Sequence, residues 1–365
     1  LDPYFSGTKV KWLLDKHPEI KNKAEKGEVC FGTIDSWLLF KLTGEHSTEP
    51  SNASRTLFFN IHTGGWDPEL LNVFGVPESM LPEIKQSCGL FGKTKKDIFG
   101  VELPVSGMLG DQQASLFGQA CFNRGDAKNT YGTGCFALAN TGSEAVVSEN
   151  RLLSTVAWNL DGKLEYALEG SVFIGGAVIQ WLRDKMRIID SAADSEDAAF
   201  SVEDSGGVYF VPAFVGLGAP YWEPDTKGTI VGITRGTSRE HIIRAALESI
   251  AFQSRDLIEA IEGDLDEKIK NLKVDGGASL NSFLIQFQAD ILGIPVTPSR
   301  IAETTALGAA YIAGLQRGYW NDKDEIVKNW QARKTFTPKI DNFDREKLES
   351  NWAKAIEAAR VYSNF

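Results

Sequence analysis

Apolar residues recur at helical spacing in several long segments. Between 240 and 261, Ile242, Ile243, Ala246, Leu247, Ile250, Leu257, Ile258 and Ile261 mark one face at a 3.6-residue period. Thr237 and Glu240 stand ahead of them at capping-box spacing, which predicts where that helix begins. Residues 1–45 also read as helical. There Val10, Trp12, Leu13 and Leu14 follow N-cap oxygens offered by Ser6 and Thr8, and Ile34, Trp37, Leu38, Leu39 and Leu42 end at Gly44. Further helices are predicted over 114–121, 175–186, 281–292 and 305–315, with a charged amphipathic one over 344–361. The 305–315 segment is rich in small residues, so it should pack closely on a neighbour.

Short β-like runs are predicted at 101–108, 165–168, 208–214 and 272–275. Residues 129–141 are β-like too, but Gly132 and Gly134 break them as in a tight hairpin. Strands alternate with helices, and the glycine turns sit mostly at strand ends. That is α/β organisation, in which ligands gather at strand ends. The texture changes near 118–126, which divides the chain into 1–118 and 119–365.

A length of 365 residues suits two domains, and 42% hydrophobic with 24% charged residues is a globular composition. With 38 basic against 49 acidic residues the net charge is −11, which argues against nucleic acid or an anionic membrane as partner. The four cysteines, Cys30, Cys88, Cys121 and Cys135, include no Cys-x-x-Cys pair. Neither a zinc site nor a disulfide framework is indicated, and reduced thiols in the cytoplasm are the simplest reading. No apolar run reaches the roughly 18 residues of a membrane span, and the opening residues show no leader pattern. The four histidines have no ligand spacing.

Three loops carry candidate chemistry. In Gly110-Asp111-Gln112-Gln113, a carboxylate between a strand end and a helix start suits a general base or an N-cap. In Thr130-Tyr131-Gly132-Thr133-Gly134, glycines around a hydroxyl suit a phosphate or a plain hairpin turn. In 274–281, Gly277 and Asn281 stand four apart. They suit a flat base held on backbone and read by an amide, or a tight turn with an Asn cap. Gly176 and Gln180 repeat that spacing, where ordinary packing is the alternative. The nucleotide P-loop and the dinucleotide Gly-x-Gly-x-x-Gly context are absent.

In order along the chain, these loops carry a resemblance. Residues 4–15 (YFSGTKVKWLLD), 51–63 (SNASRTLFFNIHT), 110–119 (GDQQASLFGQ), 128–136 (KNTYGTGCF), 168–184 (LEGSVFIGGAVIQWLRD) and 212–222 (PAFVGLGAPYW) are similar to the glycerol kinase branch of the FGGY carbohydrate kinases. So are Gly228-x-Ile230-x-Gly232-Ile233 and the run from His241 to Glu248. The resemblance implies an α/β, actin-like and ribonuclease-H-like two-domain kinase fold. Residues 1–118 would be the substrate side and 119–365 the nucleotide side. It implies transfer of a phosphoryl group from ATP to glycerol, giving ADP and sn-glycerol 3-phosphate with Mg2+ present.

By motif, Asp111 would be the base and would meet Mg2+ through water. Tyr4, Gln112 and Phe136 would contact glycerol. Thr133 would meet the nucleotide phosphates, and Gly176, Gln180, Gly277 and Asn281 would line the nucleotide pocket. A cytoplasmic dimer or tetramer is the family habit.

Family members begin with a further segment holding Gly-x-Asp-x-Gly-Thr-Thr, an Arg–Glu pair and a Trp. The resemblance here begins after it. The chain is therefore expected to be a C-terminal portion with an incomplete first domain, inactive or nearly so by itself. Its residues 1–118 should then expose apolar surface, while 127–365 should be self-sufficient. Asp97 and Glu102 stand where some relatives carry a phosphorylated His and an Arg for a sugar bisphosphate, so neither control is expected. Two rival readings are another FGGY kinase acting on a pentulose or longer polyol, and a non-catalytic actin-like ATP-binding module.

Overall fold

The computed structural model describes residues 4–363. Leu1, Asp2 and Pro3, where the first helical region and the leader-free start were read, lie outside them, as do Asn364 and Phe365. At the centre is a six-stranded sheet in the order Val296–Pro298, Leu272–Asp275, Ala127–Tyr131, Cys135–Gly142, Lys163–Val172, Leu153–Leu160. The first three strands are parallel and the rest antiparallel. Ala127–Tyr131 and Cys135–Gly142 form the predicted hairpin around Gly132 and Gly134.

Leu153–Leu160 was not predicted. Its residues 155–158 are buried on both faces, so the in–out alternation that marks a strand is missing. The 165–168 run lengthens to Lys163–Val172, and 272–275 is a strand as expected. The 101–108 run shortens to Pro104–Gly107, paired with Cys88–Lys93. The 208–214 run shortens to Tyr209–Val211.

The helix Arg239–Leu265 carries its predicted face into one continuous core with Leu168, Leu272, Val274 and Leu284. Each fully buried aliphatic side chain there contributes about 1.5–3 kcal/mol over leaving it in water. Its cap differs from expectation. Ser238 and His241 form the capping box, because Thr237 Oγ1 instead accepts the Thr234 N–H at 2.9 Å. The predicted 175–186 helix is Ala177–Trp181 followed by a π-helical turn, Leu182–Met186.

Residues before 104 are small helices and two-stranded ribbons around their own cluster of Val10, Leu14, Phe58, Leu71 and Phe74. The helical region over 1–45 divides into Gly7–Lys16, Pro18–Glu25 and Ile34–Thr43. Pro18 has no N–H to continue the first helix, and it opens the second at N1. Ser6 holds the first N-cap position without a side-chain cap, and Thr8 lies inside the helix. The expected apolar exposure is present on Ile34–Thr43, where Ile34 is 80% and Trp37 58% exposed.

Residues 127–365 share apolar core with the segment that precedes them. Leu116, Phe117 and Phe122 share a cluster with Trp158, Tyr311, Ile312 and Ile326. The helices Asp111–Gly118 and Thr304–Gln316 also cross at backbone contact. A Cβ on Gly308 would lie 1.8 Å from the Ala114 carbonyl, and one on Gly118 2.0 Å from that of Thr304. The small residues of the second helix therefore do pack closely, as predicted.

Candidate active site

The loop before the Asp111–Gly118 helix is held from below. The Gly110 N–H donates to Ser51 Oγ at 2.8 Å, and Ser51 in turn donates to the fully buried Glu49. Glu49 also accepts from the N–H groups of Ser51 and Asn52 at 3.0 and 2.8 Å and from Ser87 Oγ. Burial pushes the Glu49 carboxyl above its usual range while these donors pull it down. Gly110 is the N-cap and Asp111 the first helical residue, so the reading of Asp111 as a cap is not met. Its carboxylate is exposed, and Oδ1 accepts the Gln112 N–H at 2.8 Å.

Asp111 and Gln112 line a cavity of about 1030 Å³. Tyr4, Asp35, Asn52, Arg55, Glu303 and Thr305 are among its polar lining, and Leu38, Leu42, Val105 and Leu109 among its apolar lining. Arg55 pairs in a bidentate manner with Glu169, at 2.8 and 2.9 Å, and so ties this side to the central sheet. Its guanidinium lies 5.4 Å from the Tyr4 ring centre and 5.0 Å from that of Phe5.

Lys128 stands behind Gln112. It is buried, and its Nζ donates to Gln112 Oε1 at 2.6 Å, Thr130 Oγ1 at 2.9 Å and the Phe136 carbonyl at 3.2 Å. Burial pushes this ammonium's pKa down, and the charges of Asp275, Glu169 and Asp111 oppose it. Phe136 is thus joined to Gln112 through Lys128, although it is not among the described residues lining the cavity.

The polar chain continues from Thr130 to Ser115 at 3.3 Å and from Ser115 to Asp275 at 2.9 Å. Gln119 and Thr304 also donate to Asp275. Asp275 is followed directly by Gly276 and Gly277, so one buried network runs from the cavity to the second glycine loop.

That loop lies against the hairpin turn. Gly276 has φ +85°, and a Cβ there would stand 2.5 Å from the Tyr131 carbonyl, which excludes other residues. The Gly175 and Ala177 N–H groups donate to the Thr133 carbonyl at 2.8 and 3.1 Å, and the Gly176 N–H donates to that of Gly132 at 2.9 Å. Gly176, Thr133 and the 276–277 turn therefore come together. Gln180 is exposed one turn along the same helix. Above Gly277 the Cβ direction is open, with nothing within 4 Å.

Asn281 takes the cap alternative. Its side chain accepts the Leu284 N–H at 2.9 Å, and Nδ2 donates to Ser195 Oγ at 3.3 Å. The intended helix starts at Ser282, after a 3₁₀ turn over Gly277–Leu280.

Among the described residues no cluster of three His, Cys, Asp or Glu groups could hold a metal. An exposed carboxylate such as Asp111 still fits Mg2+, which keeps its waters and leans on substrate phosphates rather than an all-protein cage.

Sequence reasoning missed Lys128, Arg55, Glu49 and Asp275. A lysine two residues before Thr130 on one strand face was the available signal for the first. An acid directly before a Gly-Gly turn was the signal for the last.

The model of the FGGY family of carbohydrate kinases, N-terminal domain, matches residues 1–118, and that of its C-terminal domain matches residues 127–317. A glycerol kinase of Thermoanaerobacter sp. (strain X514) is 61% identical over 365 residues, covering 100% of this chain and 73% of that protein. The crystal structure of Plasmodium falciparum glycerol kinase with ADP superposes with a TM-score of 0.93 at 40% identity, over 98% of this chain and 72% of that one. A ligand-bound xylulose kinase from Lactobacillus acidophilus gives 0.84 at 23% identity, over 98% of this chain and 72% of that one, a likeness of fold alone.

Proposed function

The chain belongs to the FGGY family of carbohydrate kinases, and we propose that it phosphorylates glycerol with ATP. Its fold is the two-domain actin-like and ribonuclease-H-like α/β kinase fold of that family. One observation carries the catalytic reading. Asp111 sets an exposed carboxylate beside Gln112 on the cavity wall, in a chain 61% identical throughout to a glycerol kinase.

Phosphoryl transfer asks for alignment, charge neutralisation and a positioned base more than for covalent help. Asp111 accepts the proton of the attacking glycerol hydroxyl as the new O–P bond forms. The bond from the γ-phosphorus to the bridging oxygen breaks, and ADP leaves with its electrons. Gln112 and Tyr4 contact glycerol hydroxyls, and Phe136 packs near the carbon chain. A site that bonds each hydroxyl rejects analogues that lack one better than an apolar pocket does. Residues 1–118 form the substrate side and 119–365 the nucleotide side. Thr133 meets the phosphates, Gly176 and Gln180 border the nucleotide, and the open space above Gly277 suits a flat base. Asn281 borders the same pocket as the cap that fixes the next helix. Asp111 would hold Mg2+ through water together with the nucleotide phosphates, and the ion would supply charge neutralisation for the transferred group. The free cysteines among the described residues fit a reducing cytoplasm.

Pentulose transfer has support only from likeness of fold. A pure binding module has no use for the Asp111 carboxylate. The direct test is Asp111→Asn in the protein as its gene encodes it. Loss of a general base lowers kcat by about 10²–10⁴ while ATP binding persists. Unchanged kcat would remove Asp111 from the chemistry.

A further inference from the structure

Lys128 is unusual for a buried cation. Among the described residues it has no carboxylate in ion-pair contact, and its three N–H donors meet three neutral oxygens. Two of these belong to residues assigned to glycerol, namely the Gln112 side chain and the Phe136 carbonyl. Burying an ammonium in this way costs more than burying an aliphatic chain of similar length. Packing alone would be served better by methionine.

We propose that Lys128 is a positioning residue that locks the Gln112 amide with its oxygen inward, so that only the NH2 group faces substrate. The ammonium has donors and no acceptor, so the atom 2.6 Å from it is the amide oxygen, and Nε2 is left for the cavity. This rests on the reading of the cavity as the glycerol site. A hydroxyl held by Gln112 is then held through its oxygen lone pair. Its proton stays available to a carboxylate, and Asp111 is the neighbour. Without Lys128 the amide can turn over and offer its oxygen, which would hold the hydroxyl proton instead of releasing it. The ammonium also bonds the Phe136 carbonyl, so one atom sets the spacing between Gln112 and the neighbouring strand.

Two variants of the protein as its gene encodes it test this, each assayed for KM and kcat with glycerol and with ATP. Gln112→Glu keeps an acceptor for Lys128 and should fold at least as well. It has no N–H to offer, so KM for glycerol should rise about tenfold or more while KM for ATP stays within a few-fold. Lys128→Met should raise KM for glycerol similarly. Placed in a Gln112→Ala background, it should add little further, because it acts through that amide. If Lys128→Met fails to fold, the Gln112→Glu result decides alone. Normal glycerol affinity in Gln112→Glu overturns the proposal, as does an undiminished Lys128→Met effect in the Gln112→Ala background. A wild-type protein that turns over no glycerol would instead overturn the functional reading beneath it.

Discussion

Gly277 separates nucleotide binding from folding better than any other position in the site. A Cβ there would meet nothing within 4 Å, whereas one on Gly276 would strike the Tyr131 backbone. Gly277→Leu should therefore leave the thermal unfolding midpoint unchanged and raise KM for ATP about tenfold or more, by entering the space proposed for the base. A variant with normal ATP kinetics would move the base elsewhere. Asp111, Gln112 and the glycines could be singled out because each lies in a short loop within an ordered series of motifs, although caps and plain turns use the same residues. Lys128 and Asp275 were not, because their meaning lies in partners far along the chain. Lys128 bonds a residue 16 positions away, and Asp275 one 160 away. Asn281 was legible as a choice between two roles, and its contacts select the cap.

Among the elements, the crossing of Asp111–Gly118 with Thr304–Gln316 does most to place the proposed catalytic loop. It brings the backbone of one helix against that of the other at Gly118 and Gly308. Gly308→Ala should cost at least the about 1–3 kcal/mol typical of overpacking, because backbone cannot step aside as a side chain can. Urea unfolding of the variant checks this, and an unchanged midpoint would mean that the helices do not cross so closely. The long helices were readable from period alone, since an apolar face repeated over many residues leaves little choice. Boundaries were weaker, as at Ser238, where two hydroxyls compete for one cap. The strand Leu153–Leu160 was hidden because its middle is covered on both faces.

For the molecule as a whole, the two halves are joined by that helix crossing, by the Arg55–Glu169 pair and by the polar chain from Gln112 to Asp275. The proposed substrate side and nucleotide side are therefore joined by one connected set of contacts. Such a site can close over its substrates and exclude water, which otherwise competes for the phosphoryl group. The α/β class was readable from alternating strands and helices, but the sharing of Leu116 and Phe117 across the proposed boundary was not. It depends on a helix nearly two hundred residues later in the chain. The measurement that bears most directly on the central claim is phosphorus NMR of the protein, as its gene encodes it, with ATP, Mg2+ and an equal mixture of glycerol and xylulose. Glycerol phosphorylation predicts one new monoester signal, that of sn-glycerol 3-phosphate, growing in step with ADP. A xylulose phosphate in its place, or ADP accompanied only by inorganic phosphate, would contradict it.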